Sequence, residues 1–231
     1  MIYFLDTASL EDIKDIIDNY PISGINTNPS LIAKEEVEFS KLLKSIRVLI
    51  GEERIINIQV LGEKTMDIIE EAKKIKKILG GNIYIKIPVT KEGLKAIKIL
   101  KKEEFNVIAT AVNSSSKGIM AALCGADYLE IFCWENKENK GDINDNNLLK
   151  IISDIFKEIN IHKLNTKLLV SNIKTKNYLE EILKIGVHGL SLNKELINDI
   201  FDEKYIENIL FKFKEDWIKI YGENILIKDL L

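Results

Sequence analysis

The chain has 231 residues, a formal net charge of −3 at pH 7 and a hydrophobic fraction of 46%. This length suits one α/β barrel, and the apolar content is too high for a disordered chain. The nearly balanced charge argues against binding to a nucleic acid backbone or to an anionic membrane. Two cysteines and two histidines are too few for a disulfide scaffold or a histidine-rich metal site, so we expect no metal and no cofactor.

The first residues, M-I-Y-F-L-D, do not show the basic segment and long apolar run that mark a signal peptide. No apolar run in the sequence approaches the ~18 residues that a membrane span requires. We therefore expect a cytoplasmic protein.

Eight short apolar runs alternate with longer amphipathic segments along the chain. The predicted strands cover residues 2–6, 25–27, 55–60, 83–87, 106–111, 128–132, 167–170 and 189–192. The predicted helices cover residues 9–19, 37–50, 64–79, 91–101, 116–124, 148–159, 176–185, 194–201 and 205–221. The polar stretch 135–147 is predicted to be the longest loop.

These strand–helix units show no break in composition, so they predict one domain over residues 1–231. The predicted architecture is a closed (β/α)₈ barrel with an extra C-terminal helix at 204–221. An open doubly wound sheet is the alternative, but it usually has a glycine-rich phosphate turn after the first strand. The segment at that place is D-T-A-S, which favours the barrel.

The active site of such a barrel lies at the C-terminal ends of the strands. Several predicted strands end in, or carry, polar residues that a buried strand normally lacks: Asp6, Thr27, Asn28, Asn57, Gln59, Lys86, Thr110 and Glu130. In I-Y-I-K-I, the two-residue alternation of a strand puts the isoleucines on one face and Lys86 on the other. Lys86 is therefore predicted to point into the barrel.

A lysine inside a barrel is costly unless it is paired or neutral. Burial favours the uncharged amine, and a free amine beside groups that bind water is what Schiff-base chemistry requires. The alternative is a structural ion pair of Lys86 with Asp6 or Glu130. The polar groups at the other strand ends favour a functional lysine.

The segments F-L-D-T, G-I-N-T-N-P-S-L-I, I-K-I-P-V-T-x-E-G-L-x-A-I and A-T-A-V resemble the small transaldolase and fructose-6-phosphate aldolase family. The similarity runs nearly end to end, from Asp6 to F-K-x-D-W at 213–217. The resemblance implies a TIM barrel that forms a Schiff base, without a cofactor, between a barrel lysine and a ketose or dihydroxyacetone unit. It also implies small-molecule ketose or aldehyde substrates.

The resemblance assigns roles to individual residues. Lys86 matches the Schiff-base lysine, Asp6 the aspartate that handles protons at the substrate hydroxyl, and Thr110 the threonine that holds the catalytic water. Asn28 matches the asparagine that hydrogen-bonds the donor hydroxyls. Gln59 stands where the aldolase branch has glutamine and classical transaldolases have glutamate, which favours the aldolase branch.

Two positions near Lys86 depart from the family pattern. Phe132 stands where the aldolase branch has tyrosine, so the chain lacks both that tyrosine and the transaldolase glutamate. Glu130 stands where small residues are usual. Its carboxyl group is either an acid or base for the reaction or a partner that keeps Lys86 charged and silent.

The phosphate site departs as well. The family's phosphate arginine follows strand six in a pattern like V-N-R, whereas C-W-E places Glu135 there. The companion motif S-F-K or S-F-R reads Asn172-Ile173-Lys174, so the lysine is retained and the serine is replaced unless Ser171 compensates. Losing a bidentate arginine weakens phosphate binding by roughly tenfold to a few hundredfold, so we expect altered phosphate specificity.

The sequence thus predicts a class I aldolase or transaldolase-like enzyme that makes or breaks a carbon–carbon bond through Lys86. The alternative is a catalytically silent barrel used in binding or assembly; a true transaldolase is disfavoured by Gln59 and Glu135. The resemblance also implies a homo-oligomer, a pentamer or decamer, in which the helix at 204–221 is exchanged between subunits. The expected catalytic residues are Lys86, Asp6, Gln59, Thr110 and Glu130, and the expected substrate-binding residues are Thr27, Asn28, Phe132, Asn172 and Lys174.

Overall fold

The computed structural model of the chain describes residues 1–133, 145–202 and 204–231. Its sheet is a closed barrel of eight parallel strands in sequence order. The strands are β1 (Ile2–Asp6), β2 (Ile22–Asn26), β3 (Ile55–Gln59), β4 (Ile83–Pro88), β5 (Asn106–Thr110), β6 (Tyr128–Phe132), β7 (Lys167–Ser171) and β8 (Gly189–Leu192). Because β8 pairs with β1, no strand edge is left open, and the predicted (β/α)₈ barrel is confirmed.

Helices follow the strands along the chain. They are α1 (Leu10–Ile16), α2 (Pro29–Lys34), α3 (Phe39–Ile50), α4 (Thr65–Leu79), α5 (Lys91–Lys102), α6 (Ser115–Leu123), α7 (Asp145–Ile161), α8 (Lys176–Ile185), α9 (Lys194–Ile200) and α10 (Lys204–Tyr221). Their apolar faces are buried and their charged faces are exposed, as in α4, where Ile68, Ala72 and Ile75 are buried. This one-sided burial is what the amphipathic pattern predicts.

The region around β2 differs from the prediction. Pro21 and Gly24 indicate a turn by their residue type, yet Gly24 lies inside the strand. A Cβ on Gly24 would lie 2.2 Å from the carbonyl oxygen of Ile55, so the strand needs glycine there for β3 to approach. The predicted strand 25–27 is therefore wrong at both ends, because β2 spans Ile22–Asn26.

The short helix α2 was not predicted. The side chain of Asn28 caps it by accepting a hydrogen bond from the Leu31 amide at 3.0 Å, and Pro29 occupies its first turn. Both residues favour a helix start. The helix has six residues and none of them is buried, so no apolar period marks it in the sequence.

The predicted loop 135–147 ends too late, because α7 already begins at Asp145. Residues 134–144, which include Glu135, lie outside the described residues. The other boundaries agree with the prediction to within a few residues.

The interior of the barrel is apolar at its N-terminal end. We call this layer the apolar floor; it consists of Ile2, Phe4, Ile55, Tyr84, Ile108, Tyr128 and Leu169. Below the floor, the buried guanidinium of Arg47 donates to the carbonyl oxygens of Gly51, Arg54 and Asn82 at 2.7–3.0 Å. Arg47 and Arg54 therefore lie at the end of the barrel opposite to the strand C-termini.

The chain divides into two compact units, Met1–Leu196 and Ile197–Leu231. The first unit contains the barrel, and the second contains α10 and a short 3₁₀ turn at Ile227–Asp229. Within the second unit, the indole nitrogen of Trp217 donates to the carbonyl oxygen of Ile225 at 2.7 Å. This bond fastens the segment after α10 to the helix.

The apolar stripe on α10 is open in the single chain. Ile206, Leu210 and Phe213 are 51–63% exposed. Burial of these side chains between subunits stays a prediction. Within the described ranges, no helix combines the length and the apolar character needed to cross a membrane.

We expect Gly93→Ala in α5 to destabilise the protein, although alanine normally favours an exposed helix by about 1 kcal/mol. A Cβ on Gly93 would lie 2.1 Å from the carbonyl oxygen of Pro88. Such overpacking costs roughly 1–3 kcal/mol, and urea unfolding measures it. As the control, Gly118→Ala should cost less, because its Cβ would meet mainly the flexible Cδ1 of Ile155 at 2.9 Å. A gain in stability for Gly93→Ala would contradict this close approach.

Candidate active site

Each strand of the barrel carries one buried polar or charged residue just above the apolar floor. Each of these residues follows, by two positions, a floor residue or one of the glycines Gly24 and Gly189. Because side chains alternate along a strand, they point into the barrel like the floor residues. We call them the polar ring; its members are Asp6, Asn26, Asn57, Lys86, Thr110, Glu130, Ser171 and Ser191.

Lys86 and Glu130 form an ion pair inside this ring. The Nζ atom of Lys86 lies 2.9 Å from Oε1 of Glu130, and the two side chains are 1% and 0% exposed. Lys86 Nζ also donates to Oδ1 of Asn26 at 3.1 Å and to the carbonyl oxygen of Thr27 at 2.9 Å. The three ammonium hydrogens therefore each have an acceptor.

Glu130 is equally well satisfied. Its Oε1 accepts a hydrogen bond from Nδ2 of Asn26 at 3.0 Å, and its Oε2 accepts one from the hydroxyl of Thr110 at 2.5 Å. Burial raises the pKa of Glu130, but the charge of Lys86 and the hydrogen bonds from Thr110, Lys86 and Asn26 outweigh burial and lower that pKa below its ordinary value. Glu130 is therefore a carboxylate at neutral pH.

Asn26 joins the ionisable groups of the ring. Its Nδ2 donates to Glu130 and, at 3.3 Å, to Oδ1 of Asp6, while its Oδ1 accepts from Lys86 and, at 3.2 Å, from Nδ2 of Asn57. Asn26 was not among the predicted site residues, because the predicted strand 25–27 ended at Thr27. Two-residue alternation counted from Gly24 would have identified it.

The pKa of Asp6 is shifted upward, whereas that of Glu130 is shifted downward. Burial and the nearby charge of Glu130 raise the pKa of Asp6 to about 6, against the opposing effects of Lys86, Lys174 and the hydrogen bond from Asn26. Burial is the largest of these causes. Asp6 therefore exchanges its proton close to neutral pH, where an ordinary aspartate is fully ionised.

A cavity of about 770 Å³ opens at the C-terminal ends of the strands. Most of the predicted site residues line it, namely Asn28, Gln59, Lys86, Thr110, Phe132, Asn172 and Lys174. Asp6, Thr27 and Glu130 do not line it. The Thr27 hydroxyl donates to the carbonyl oxygen of Asn57 at 2.7 Å, so Thr27 contacts Lys86 through its backbone rather than facing the cavity with its side chain.

The rim of the cavity is held in an unusual backbone conformation. Asn172 and Ala111 directly follow β7 and β5 and have φ angles of 60° and 59°, a left-handed region that costs energy for residues other than glycine. Asn172 donates from Nδ2 to the carbonyl oxygen of Cys133 at 2.5 Å and accepts at Oδ1 from Lys174 at 2.7 Å. Asn172 thus fixes the ammonium of Lys174 on the cavity wall.

Hydrogen bonding in the polar ring is uneven. Around Lys86 the donors and acceptors are paired, whereas the hydroxyls of Ser171 and Ser191 and Oδ1 of Asn57 are buried without a partner in the described part of the chain. Spare hydrogen-bonding capacity therefore remains at β7 and β8, and β8 is the neighbour of β1, which carries Asp6.

Comparisons with known proteins agree with this architecture. The sequence model of the family described as Transaldolase/Fructose-6-phosphate aldolase matches residues 3–225. Among solved structures, a crystal structure of 3-hexulose-6-phosphate synthase is similar, with a TM-score of 0.61 and 13% identity over 84% of this chain and 90% of that chain. At this identity, the structural likeness shows the barrel fold alone.

We expect Asp6→Asn to stabilise the protein at pH 8 but not at pH 4. The pKa of Asp6 rises from 3.8 to about 6 on folding, so the folded state binds this proton more tightly. Burying the ionised carboxylate of Asp6 lowers the free energy of unfolding. This loss is absent below about pH 4, grows up to about pH 6 and is complete above it. The shift corresponds to at most about 3 kcal/mol.

Urea unfolding between pH 4 and pH 8 measures this difference. The exposed Asp18→Asn is the matched control for losing one negative charge. Equal stability of the wild type and Asp6→Asn at pH 8 would show that the buried carboxylate carries no such cost.

Proposed function

The chain belongs to the transaldolase/fructose-6-phosphate aldolase family, and on that premise we propose that it is a class I aldolase or transaldolase-like enzyme. In this proposal Lys86 forms a Schiff base with a ketose or dihydroxyacetone unit. The observation that carries the proposal is a lysine on the wall of a 770 Å³ cavity with a carboxylate 2.9 Å from its Nζ atom. The resulting iminium accepts the electron pair of the carbon–carbon bond that breaks, so no cofactor is needed.

The first step needs a proton acceptor for Lys86, because an ammonium group is not a nucleophile. Glu130 is in hydrogen-bond contact with Nζ and takes this proton when a ketone enters the cavity. The free amine of Lys86 then attacks the carbonyl carbon and gives a carbinolamine. Glu130, now a neutral acid, holds the proton that the carbinolamine hydroxyl needs in order to leave as water.

Thr110 connects Glu130 to the cavity. Glu130 is fully buried, whereas Thr110 lines the cavity and donates its hydroxyl to Oε2 of Glu130 at 2.5 Å. A hydroxyl donates and accepts, so it can pass the proton between the carboxyl group and the carbinolamine. Phe132 has no hydroxyl group to act as an acid, unlike the tyrosine of the aldolase branch. The Glu130–Thr110 pair thereby supplies this acid.

The remaining predicted residues act on the substrate and on its other proton. Asn28 and Gln59 line the cavity with amide groups suited to the hydroxyls of a ketose. Asp6, with a pKa of about 6, accepts the proton of the hydroxyl that becomes the aldehyde, through a water because Asp6 lies behind the cavity wall. Carbon–carbon cleavage leaves an enamine on Lys86, which a second aldehyde or a proton captures.

We also propose that phosphate specificity is altered. The described wall of the cavity carries the ammonium groups of Lys34 and Lys174, while Arg47 and Arg54 lie at the other end of the barrel. An ammonium group is a point charge and does not bind a phosphate through a planar fork as arginine does. The preference for phosphorylated over unphosphorylated ketoses should therefore stay below roughly a hundredfold.

A silent binding barrel is the second candidate, and the same ion pair favours it. If Glu130 never takes the proton, it holds Lys86 as an ammonium that cannot attack a ketone.

As part of the main proposal, we place the enzyme in the cytoplasm as a homo-oligomer, a pentamer or decamer. The exposed apolar side chains of α10 support a helix that is exchanged between subunits.

Borohydride trapping tests the proposed enzyme. The protein is incubated with borohydride and dihydroxyacetone, fructose 6-phosphate or fructose, and peptide mass spectrometry locates the reduced adduct. We expect an adduct at Lys86 that Lys86→Met abolishes and that Lys98→Met, a change of an exposed lysine on α5, leaves in place. A folded protein that forms no adduct with any of these ligands would favour the silent barrel.

Glu130→Gln separates the two candidates by the direction of its effect. If Glu130 takes the proton, trapping should slow by roughly 10²–10⁴-fold, which is the usual contribution of a general base. If Glu130 only silences Lys86, trapping should become faster. In Glu130→Gln, leaving the charge of Lys86 unpaired costs about 3–5 kcal/mol, so folding is checked by circular dichroism.

Thr110→Val provides a second test that keeps the ion pair. For the enzyme, Thr110→Val should also slow trapping; unchanged rates would exclude the proposed relay.

A further inference from the structure

Asn26 touches every ionisable residue of the polar ring. Its Oδ1 accepts from Nζ of Lys86 at 3.1 Å, and its Nδ2 donates to Oε1 of Glu130 at 3.0 Å and to Oδ1 of Asp6 at 3.3 Å. The remaining acceptor position of Oδ1 is taken by Nδ2 of Asn57 at 3.2 Å. Asn26 is 1% exposed, so its amide has no competing partner in bulk water.

The two contacts of Asn26 with the ion pair act in the same direction. A hydrogen bond accepted from an ammonium group stabilises the ammonium, and one donated to a carboxylate stabilises the carboxylate. Both contacts therefore favour charged Lys86 and charged Glu130 over the neutral amine and neutral acid. Attack on a ketone requires the neutral amine, which forms when Glu130 takes the proton or, at higher pH, when the solvent takes it. The contact with Lys86 opposes both routes, so Asn26 opposes the reactive state.

We propose that Asn26 is a positioning residue that holds Lys86 and Glu130 in their ionic form while the cavity is empty. Its hydrogen bond to the ammonium thereby raises the pH above which Lys86 loses its proton to solvent and reacts as a free amine. This inference rests on the proposed function in one respect only, that the neutral amine is the reactive form.

Other titratable groups face this site and share in its pH dependence. Asp6 lies beside Asn26 on β1, and Lys174, beyond β7, acts on Asp6 through its charge. Tyr84 and Tyr128 belong to the floor below Lys86 and Glu130, and burial raises the pKa of both phenols. The same tyrosines are present in the wild type and in every Asn26 variant, so a difference between their midpoints is separable from the tyrosines.

Reductive methylation of Lys86 tests the inference without a ketose. The full-length protein is treated with formaldehyde and cyanoborohydride over a pH series, and peptide mass spectrometry gives the extent of Lys86 methylation. Asn26→Leu removes both contacts with the ion pair, so its pH midpoint should fall by about one unit. Asn26→Asp keeps an acceptor for Lys86 and adds a negative charge, so its midpoint should rise.

Opposite shifts distinguish positioning from damage to the fold, because a loosened barrel would move both variants in one direction. Asn57→Leu is the matched control, because the Asn57 side chain donates a hydrogen bond to Asn26 and, among the described residues, has none to Lys86 or to a carboxylate. Its midpoint should stay near that of the wild type. If Asn26→Leu does not fold, Asn26→Ser replaces it with the same expected direction.

Equal midpoints for the wild type, Asn26→Leu and Asn26→Asp would overturn the inference. Failure of the proposed function would look different, because formaldehyde methylates a free amine in an inactive barrel as well. In that case the Asn26 variants would still shift the midpoint, while dihydroxyacetone would leave no adduct on the wild type. The two results together separate a wrong role for Asn26 from a wrong function for the protein.

Discussion

The arrangement of this barrel depends on one buried ion pair, between Lys86 and Glu130. Taking Lys86 and Glu130 out of water costs several kcal/mol for each ion, and their attraction offsets this only when further hydrogen bonds complete both shells. Those bonds come from Asn26, from the carbonyl oxygen of Thr27 and from the Thr110 hydroxyl. β2, β4, β5 and β6 must therefore hold their relative positions closely, and one misplaced strand would leave a charge uncompensated.

The apolar floor provides the stability that this arrangement uses. Floor side chains such as Phe4, Ile108 and Leu169 are almost completely buried and gain free energy from leaving water. The ring above them contains carboxylates, an ammonium group and two hydroxyls without a partner in the described residues. Stability and chemistry thus lie in successive layers of one interior, and the raised pKa of Asp6 means that its ionised carboxylate opposes folding.

Much of the barrel was predictable because strand and helix periods are local properties of the sequence. The inward direction of Lys86 followed from the alternation in I-Y-I-K-I, which needs no knowledge of neighbouring strands. Asn26 was missed because glycine is not typical of a strand, and the reason for Gly24 is not local: only glycine leaves room for the backbone of Ile55. The short helix α2 was missed because it buries nothing.

The partner of Lys86 was left open between Asp6 and Glu130 for a related reason. Alternation within β4 and β6 gives the face of each side chain but not the height of one strand against the other. These two strands do not pair directly, since β5 lies between them. Only the accumulated register of two strand pairs brings Nζ and Oε1 together, and no pattern within a single strand encodes that sum.

The regular spacing of the ring has a consequence for how such a protein can change. Because each ring residue stands alone on its strand, two positions beyond the floor, a substitution there leaves the outward faces that pack against the helices untouched. A replacement there changes the hydrogen bonds within the ring but leaves the packing between the barrel and its helices in place. The chemistry of such an interior can therefore vary without rebuilding the barrel that carries it, provided that each buried charge keeps a partner.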